Sequence, residues 1–79
     1  MEDYEVFVTA LDGRHLTVKA FETDTILDFK NKVSKFVGVT SDRITIIFNE
    51  KACEDRYTLK DYSIQKGCNV TCVMSLKGG

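Results

Sequence analysis

Residues 6–20 of the chain read VFVTALDGRHLTVKA, and this stretch decides the fold. Residues 6–11 are rich in strand formers, and residues 15–20 alternate between apolar and polar side chains. The dipeptide Asp12-Gly13 between them is a strong turn signal. The sequence therefore predicts a β-hairpin, with Phe7 on its outer face. The residues expected on its buried face are Val6, Val8, Leu16 and Val18.

A helix is predicted directly after this hairpin. Thr25 is a good N-cap, and Asp28 three residues later comes close to a capping box. Gly38 stands where a helix ends with a left-handed residue. One stripe of the helix is apolar at helical spacing. Its members are Ile26, Phe29, Val33 and Val37.

The second half of the chain predicts short elements. Residues 44–48 (ITIIF) are the most β-prone run, and Asn49-Glu50 should turn the chain because Asn tolerates a left-handed backbone. Residues 51–53 are expected to return as a short strand. Residues 59–62 resemble one helical turn, and residues 70–76 alternate as a final strand.

The order of these elements is hairpin, helix, strand pair and strand, which predicts an α+β roll with a mixed sheet packed on one α-helix. The length of 79 residues fits one domain, residues 1–79. The predicted core consists of Val6, Val8, Leu16, Val18, Ile26, Phe29, Val33, Ile46, Leu59, Ile64, Val70 and Cys72.

Composition and charge exclude several classes of function. The formal net charge is −1, with acids and bases interspersed, which argues against a nucleic-acid binder. The apolar runs are too short for a membrane span. The N-terminus is acidic, whereas a secretory signal starts with basic residues. We therefore expect an intracellular protein of the cytoplasm, the nucleus or both, with no nucleic-acid or membrane partner.

The cysteines predict packing rather than chemistry. Cys53, Cys68 and Cys72 are odd in number and fit no zinc spacing, so neither a disulfide scaffold nor a metal site is expected. Cys53 and Cys72 occupy apolar positions and should be core residues, while Cys68 should lie at a surface turn. His15 has no evident nucleophile near it in sequence, so we expect no catalytic residues, no cofactor and no enzyme activity.

Residues that carry a family resemblance are scattered through every predicted element. The most specific run is residues 58–66, in which Thr58, Leu59, Asp61, Tyr62, Ile64, Gln65 and Lys66 match. The other matches include Phe7-Val8, Leu11, Gly13, Asp24-Thr25-Ile26, Lys30, Lys32, Gly38, Ile47-Phe48, Lys51, Glu54-Asp55 and Leu76. On these residues the chain resembles the ubiquitin family, without a gap from Tyr4 to Gly79. Residues 1–3 fall outside as a short N-terminal extension, and residues 75–79 correspond to a flexible C-terminal tail.

The resemblance implies a ubiquitin-like β-grasp fold and a role as a protein modifier. In that family the exposed Gly-Gly carboxylate is joined to a lysine amine by activating and conjugating enzymes, and deconjugating enzymes reverse the bond. The corresponding conjugation tail consists of Leu76, Lys77, Gly78 and Gly79. Gly has no Cβ, so a narrow catalytic channel can admit the backbone up to the reacting carbonyl. Leu76 is expected to anchor the tail in an apolar pocket.

The family also presents an apolar patch to partners that read it, and the matching residues are Leu11, Ile47 and Val73. Strand alternation should turn Ile47 and Val73 away from the core. Isolated exposed apolar residues are common, so the predicted patch depends on the presence of aliphatic residues at all three positions.

Several residues depart from the family pattern. Thr45 and Ser75 replace two arginines that help the activating enzyme of ubiquitin to recognise it, which puts use of that enzyme in doubt. Glu50 replaces a glycine beside the patch, and Thr71 replaces a histidine.

Four lysines match ubiquitin lysines that accept a further modifier in chains: Lys30, Lys32, Lys51 and Lys66. The alternative is that each is an ordinary solvated lysine. A second alternative concerns the whole chain, which could be a non-conjugated interaction domain of a larger protein that docks to the proteasome or to another reader of the ubiquitin fold. In either role we expect a monomer.

Overall fold

The computed structural model describes residues 2–75 of the chain. Within this range, five strands and one α-helix follow the predicted order. The strands are β1 (Tyr4–Thr9), β2 (His15–Ala20), β3 (Ile44–Phe48), β4 (Lys51–Ala52) and β5 (Asn69–Met74), the helix is α1 (Ile26–Val37), and 3₁₀ turns cover Ser41–Arg43 and Lys60–Tyr62.

The strands form one mixed sheet in the order β2-β1-β5-β3-β4. The central strand β5 runs parallel to its neighbour β1, and every other pair is antiparallel. Helix α1 lies between the first hairpin and β3 in the chain, and its apolar stripe joins the core. This architecture confirms the predicted α+β roll and its β-grasp topology.

Both ends of α1 are built as the sequence predicts. The Thr25 hydroxyl accepts a hydrogen bond from the Asp28 N–H at 3.1 Å, and the Asp28 carboxylate accepts one from the Thr25 N–H at 3.1 Å. Gly38 has a φ of 74°, and its N–H donates to the Ser34 carbonyl at 2.9 Å. The capping box and the left-handed Gly therefore fix the helix length.

The first strand lies two residues earlier than predicted. Tyr4 already pairs with Ala20, and its hydroxyl donates to the Ile64 carbonyl at 2.7 Å. The strand ends at Thr9 because the Ala10 N–H donates to the Arg14 carbonyl at 2.8 Å and closes a loop. Leu11 therefore belongs to this turn and not to the strand.

The second hairpin turn has two left-handed residues. Phe48 pairs with Lys51, and the two residues between them, Asn49 and Glu50, have φ values of 56° and 65°. Positive φ at both central positions defines a type I′ turn, whose preferred sequence is Asn-Gly. The predicted turn is confirmed, with Glu50 at the position that favours glycine.

The core lies between α1 and the inner face of the sheet, and all predicted core residues except Leu16 are buried. Leu16 is half-buried and packs against the core from the hairpin end of β2. Further buried apolar residues are Ala10, Ala20, Ile44 and Cys53. Among residues 2–75, no helix is long and apolar enough to cross a membrane.

Candidate functional site

The outer face of the sheet carries two of the three predicted patch residues. On β3, Ile46 is fully buried and its neighbour Ile47 points to the outer face, where it is partly exposed. On β5, Cys72 is buried and Val73 is partly exposed. Because successive side chains of a strand alternate between faces, Ile47 and Val73 share the surface that α1 does not cover.

The strand register makes Ile47 and Val73 diagonal neighbours. Ile47 pairs with Thr71, and Val73 pairs with Thr45 two residues farther along β5. Diagonal residues of adjacent strands lie about 7–8 Å apart between Cα atoms, which long aliphatic side chains can bridge. Thr45 and Thr71, where the resemblance to ubiquitin implies an arginine and a histidine, therefore lie beside Ile47 and Val73 on the same face.

Leu11 completes the predicted set at one end of the sheet. It is 40% exposed and lies in the turn after β1. Since β1 runs parallel to β5 and Thr9 pairs with Thr71, the chain beyond Thr9 heads toward the end of β5 that carries Val73. The structure therefore places Leu11 at the same end as Val73.

Two of the four predicted acceptor lysines are engaged. Lys30 is only 8% exposed, and its ammonium group lies 2.5 Å from the Asp55 carboxylate. The Lys32 ammonium group lies 2.7 Å from the Asp24 carboxylate and 5.6 Å from the centre of the Phe21 ring. An amine must lose such contacts before it can attack a carbonyl, so Lys30 could accept a modifier only after local opening.

The other two lysines are exposed. Lys51 on β4 lines an open cavity of about 450 Å³ beside Asp61 and Tyr62. Lys66 lines a second open cavity of about 450 Å³ with Glu2 among its neighbours. Among residues 2–75, the ion pairs involve neither Lys51 nor Lys66. Their use as acceptors stays a prediction.

The conjugation tail predicted at Leu76, Lys77, Gly78 and Gly79 lies outside the described residues. The last described residue, Ser75, donates its N–H to the Arg43 carbonyl at 2.8 Å. This bond fixes where the chain leaves the sheet, beside the start of β3.

The three cysteine side chains lie in the core or pack against it. Cys53 and Cys72 are buried in the core, and burial raises the pKa of both thiols against an opposing effect of the Lys30 charge. Cys68, expected at a surface turn, is partly buried, and its sulfur accepts the Gln65 N–H at 3.2 Å. Across residues 2–75, no three His, Cys, Asp or Glu side chains are grouped to hold a metal ion.

The Lys30–Asp55 pair is the polar feature that the sequence prediction missed. A signal was present, because Lys30 lies four residues after Ile26 and three before Val33 and so falls on the apolar stripe of α1. A charged residue on such a stripe indicates a buried ion pair or a snorkelling side chain.

Comparison with known proteins identifies the family to which this fold belongs. The model of the family described as "Ubiquitin family" matches residues 6–77. The chain belongs to the ubiquitin family. The family resemblance on which the predictions rest is thereby confirmed.

Three relatives differ in how much of their own length the chain spans. The chain is 27% identical to NEDD8-like protein RUB1 of Saccharomyces cerevisiae, over 94% of this chain and 96% of the relative. It is 32% identical to ubiquitin-like modifier HUB1 of Debaryomyces hansenii, over 82% of this chain and 89% of the relative. It is 28% identical to AN1-type zinc finger protein 4 of Mus musculus, over 95% of this chain but only 10% of the mouse protein.

Proposed function

We propose that the chain is a ubiquitin-like modifier, joined through the Gly79 carboxylate to lysine amines of target proteins. The observation that carries the proposal is that the alignment with a relative covers nearly the whole length of both proteins. The chain and the yeast NEDD8-like protein match over more than nine-tenths of both lengths, and the HUB1 relative is itself named a modifier. Gly78-Gly79 is the dipeptide whose carboxylate this chemistry would use.

The chemistry divides between the chain and its partners. An activating enzyme would adenylate the Gly79 carboxylate with ATP and release pyrophosphate, and its cysteine thiol would then displace AMP to form a thioester. Transfer to a conjugating enzyme and attack by a lysine amine would form the isopeptide bond and release the thiol. The chain supplies the electrophile and no catalytic group, which is consistent with the burial of Cys53 and Cys72.

Reading of the attached modifier would use the aliphatic patch formed by Leu11, Ile47 and Val73. Support comes from the shared outer face of Ile47 and Val73 and from the exposure of Leu11.

Three cysteines without disulfides support a reducing compartment, the cytoplasm or the nucleus.

Expression of an N-terminally tagged chain in its source cells tests the tail. We expect tagged adducts that survive reducing, denaturing gels, and we expect deletion of Gly78-Gly79 to abolish them. Deletion of Glu2-Asp3 is a matched control, because it removes two residues from the other end and should leave the adducts intact. Adducts that persist without Gly78-Gly79 would refute attachment through the tail.

The second candidate is a non-conjugated interaction domain, and the mouse relative favours it. The matching segment there is one-tenth of a much longer protein. This function requires the patch but not a free Gly79 carboxylate. The two candidates separate on immunoblots of the endogenous protein, since an interaction domain migrates as one long product and a modifier as a free chain plus adducts.

A further inference from the structure

The chain leaves the sheet beside an exposed arginine. Arg43 is the residue directly before β3, and its carbonyl accepts the Ser75 N–H at 2.8 Å. This bond extends the ladder between β3 and β5 by one step, because Ile44 pairs with Met74 in the same register. Arg43 therefore lies directly across from the residue that precedes the conjugation tail.

The Arg43 side chain is turned to solvent and is not engaged. Ile44 is only 1% exposed, whereas Arg43 before it is exposed and Thr45 after it is partly exposed, so alternation turns both neighbours away from the core. Within residues 2–75, Arg43 takes part in no ion pair and no side-chain hydrogen bond, although Asp42 adjoins it in the chain. Its guanidinium group therefore keeps its five N–H donors for a partner.

The outward neighbours of Arg43 on β3 and β5 carry no charge. They are Thr45 on the same strand, and Val73 and Ser75 across from it. Outward residues of one strand repeat about every 7 Å, and adjacent strands lie about 5 Å apart, so one long side chain at position 43 reaches the surroundings of both Thr45 and Ser75. These are the two positions at which the resemblance to ubiquitin implies arginines. The cation of this surface is thus retained, at a different residue.

An enzyme that acts on Gly79 has to approach Arg43. Gly79 is four residues beyond Ser75, and four extended residues span at most about 14 Å. A domain of about 100 residues already has a radius of gyration of about 13 Å, so an enzyme that holds the Gly79 carbonyl also covers the surface around Ser75. A disengaged guanidinium group on that surface favours a carboxylate on the enzyme, because the two groups can pair through two parallel hydrogen bonds.

We infer that Arg43 is a specificity-determining residue, which pairs with a carboxylate of the activating enzyme at the rim of the channel that receives the tail. The inference rests on the proposed modifier function and adds the residue that supplies the cation at the base of the tail. Arg43 binds the enzyme and does not touch the reacting carbonyl. Its contribution therefore falls on the affinity for the enzyme and not on the rate of the chemical step.

Thioester formation in an extract of the source cells tests this role. The probe is the tagged chain of residues 1–79 with ATP and Mg²⁺, and the product is an ATP-dependent adduct that a thiol reductant cleaves. Arg43→Gln should raise the apparent KM for the chain at least about fivefold with little change in maximal rate. Arg43→Lys keeps the charge but loses the planar fork, so its KM should lie between the two. Raising NaCl from 50 to 300 mM should increase the wild-type KM more than that of Arg43→Gln, since screening acts on the charge that the variant lacks.

Lys60→Gln is the matched control, because it also removes one positive charge from an exposed side chain. The Lys60 N–H donates to the Glu22 carbonyl at 3.0 Å, just beyond the end of β2 that lies farthest from the tail. Its KM should equal that of the wild type. Thermal unfolding should give Arg43→Gln an unchanged Tm, since the bond to Ser75 uses the backbone carbonyl of residue 43 and not its side chain.

Three outcomes would overturn the inference. They are an unchanged KM in Arg43→Gln, an equal rise in Lys60→Gln, which would reflect net charge alone, and a lowered Tm in Arg43→Gln, which would reflect a structural role. If the wild-type chain forms thioesters that depend on Gly78-Gly79 and Arg43→Gln forms them with the same KM, the modifier proposal stands and this inference fails. If the wild-type chain forms no such thioester, both fail.

Discussion

The two faces of the sheet carry similar apolar residues, which are buried on the inner face and partly exposed on the outer face. On β3, Ile46 is fully buried against the core and Ile47 is partly exposed, although the two side chains are identical and adjacent. On β1, Val8 is buried and Phe7 is 41% exposed. The inner face has α1 to cover it, and the outer face has nothing over it in the described chain. Apolar character alone therefore does not separate residues that hold the fold from residues available to a partner.

Thiol labelling gives the largest expected contrast between the faces. Cys72 lies on the inner face of β5 and is fully buried, whereas Cys68, just before the strand, is partly exposed. With iodoacetamide at pH 8, Cys68 should react first. Cys72 should react on the order of a thousand times more slowly, because its burial raises the thiol pKa and reaction requires an opening of several kcal/mol. Mass spectrometry of proteolytic peptides assigns each label to its cysteine.

The denatured chain is the control for this labelling. All three cysteines should then react at similar rates, since burial is lost. If native Cys72 reacted as fast as Cys68, the inner face of β5 would be open to solvent and the comparison of faces would fail.

Alanine substitution of the adjacent residues Ile46 and Ile47 tests the difference between the two faces most directly. Ile46→Ala should lower the free energy of unfolding by about 3–4 kcal/mol, because it removes buried methylenes and leaves a cavity. Ile47→Ala should cost less than about 1 kcal/mol, because its side chain keeps contact with water. Urea denaturation followed by circular dichroism measures both. Equal losses would mean that Ile47 belongs to the core and not to a patch.

The sequence predicted the regular parts of the fold because each carries a local signal. Thr25 and Gly38 mark the helix ends through bonds made within a few residues, and alternation separates Ile46 from Ile47. Strand ends depend on distant partners, so the pairing of Tyr4 with Ala20 and the end of β1 before Leu11 were missed. The outward direction of Ile47 and Val73 follows from alternation, but their diagonal proximity emerges only from the register between β3 and β5.

Lys30 is the one charged side chain that is buried among residues 2–75, and its pair with Asp55 provides the next test. Asp55→Ala should destabilise the fold by about 1–2 kcal/mol, because it leaves a nearly buried ammonium group unpaired. The loss is limited because the Asp55 side chain is 52% exposed and water can reach the pair. Thermal unfolding measures the change.

An exposed ion pair supplies the matched control for Asp55. Glu54 lies 3.7 Å from Arg56, and both side chains are mostly exposed. Glu54→Ala should cost no more than about 0.5 kcal/mol. A similar cost for Asp55→Ala would show that Lys30 finds water or another acceptor as readily as a surface lysine does.

The turn between β3 and β4 lies on neither face and gives the smallest expected change, with the opposite sign. Glu50 holds a φ of 65° at a position where a type I′ turn prefers glycine. Glu50→Gly should raise stability by about 0.5–1 kcal/mol, since relief of the left-handed strain exceeds the extra freedom of glycine in the unfolded chain. For a domain of this size, that corresponds to a rise in Tm of about 2–8 °C. Asn49→Gly should gain less, because Asn at a φ of 56° is already tolerated. A fall in Tm for Glu50→Gly would mean that the Glu50 carboxylate makes a stabilising contact, and the turn would then contribute to the stability now assigned to the inner face alone.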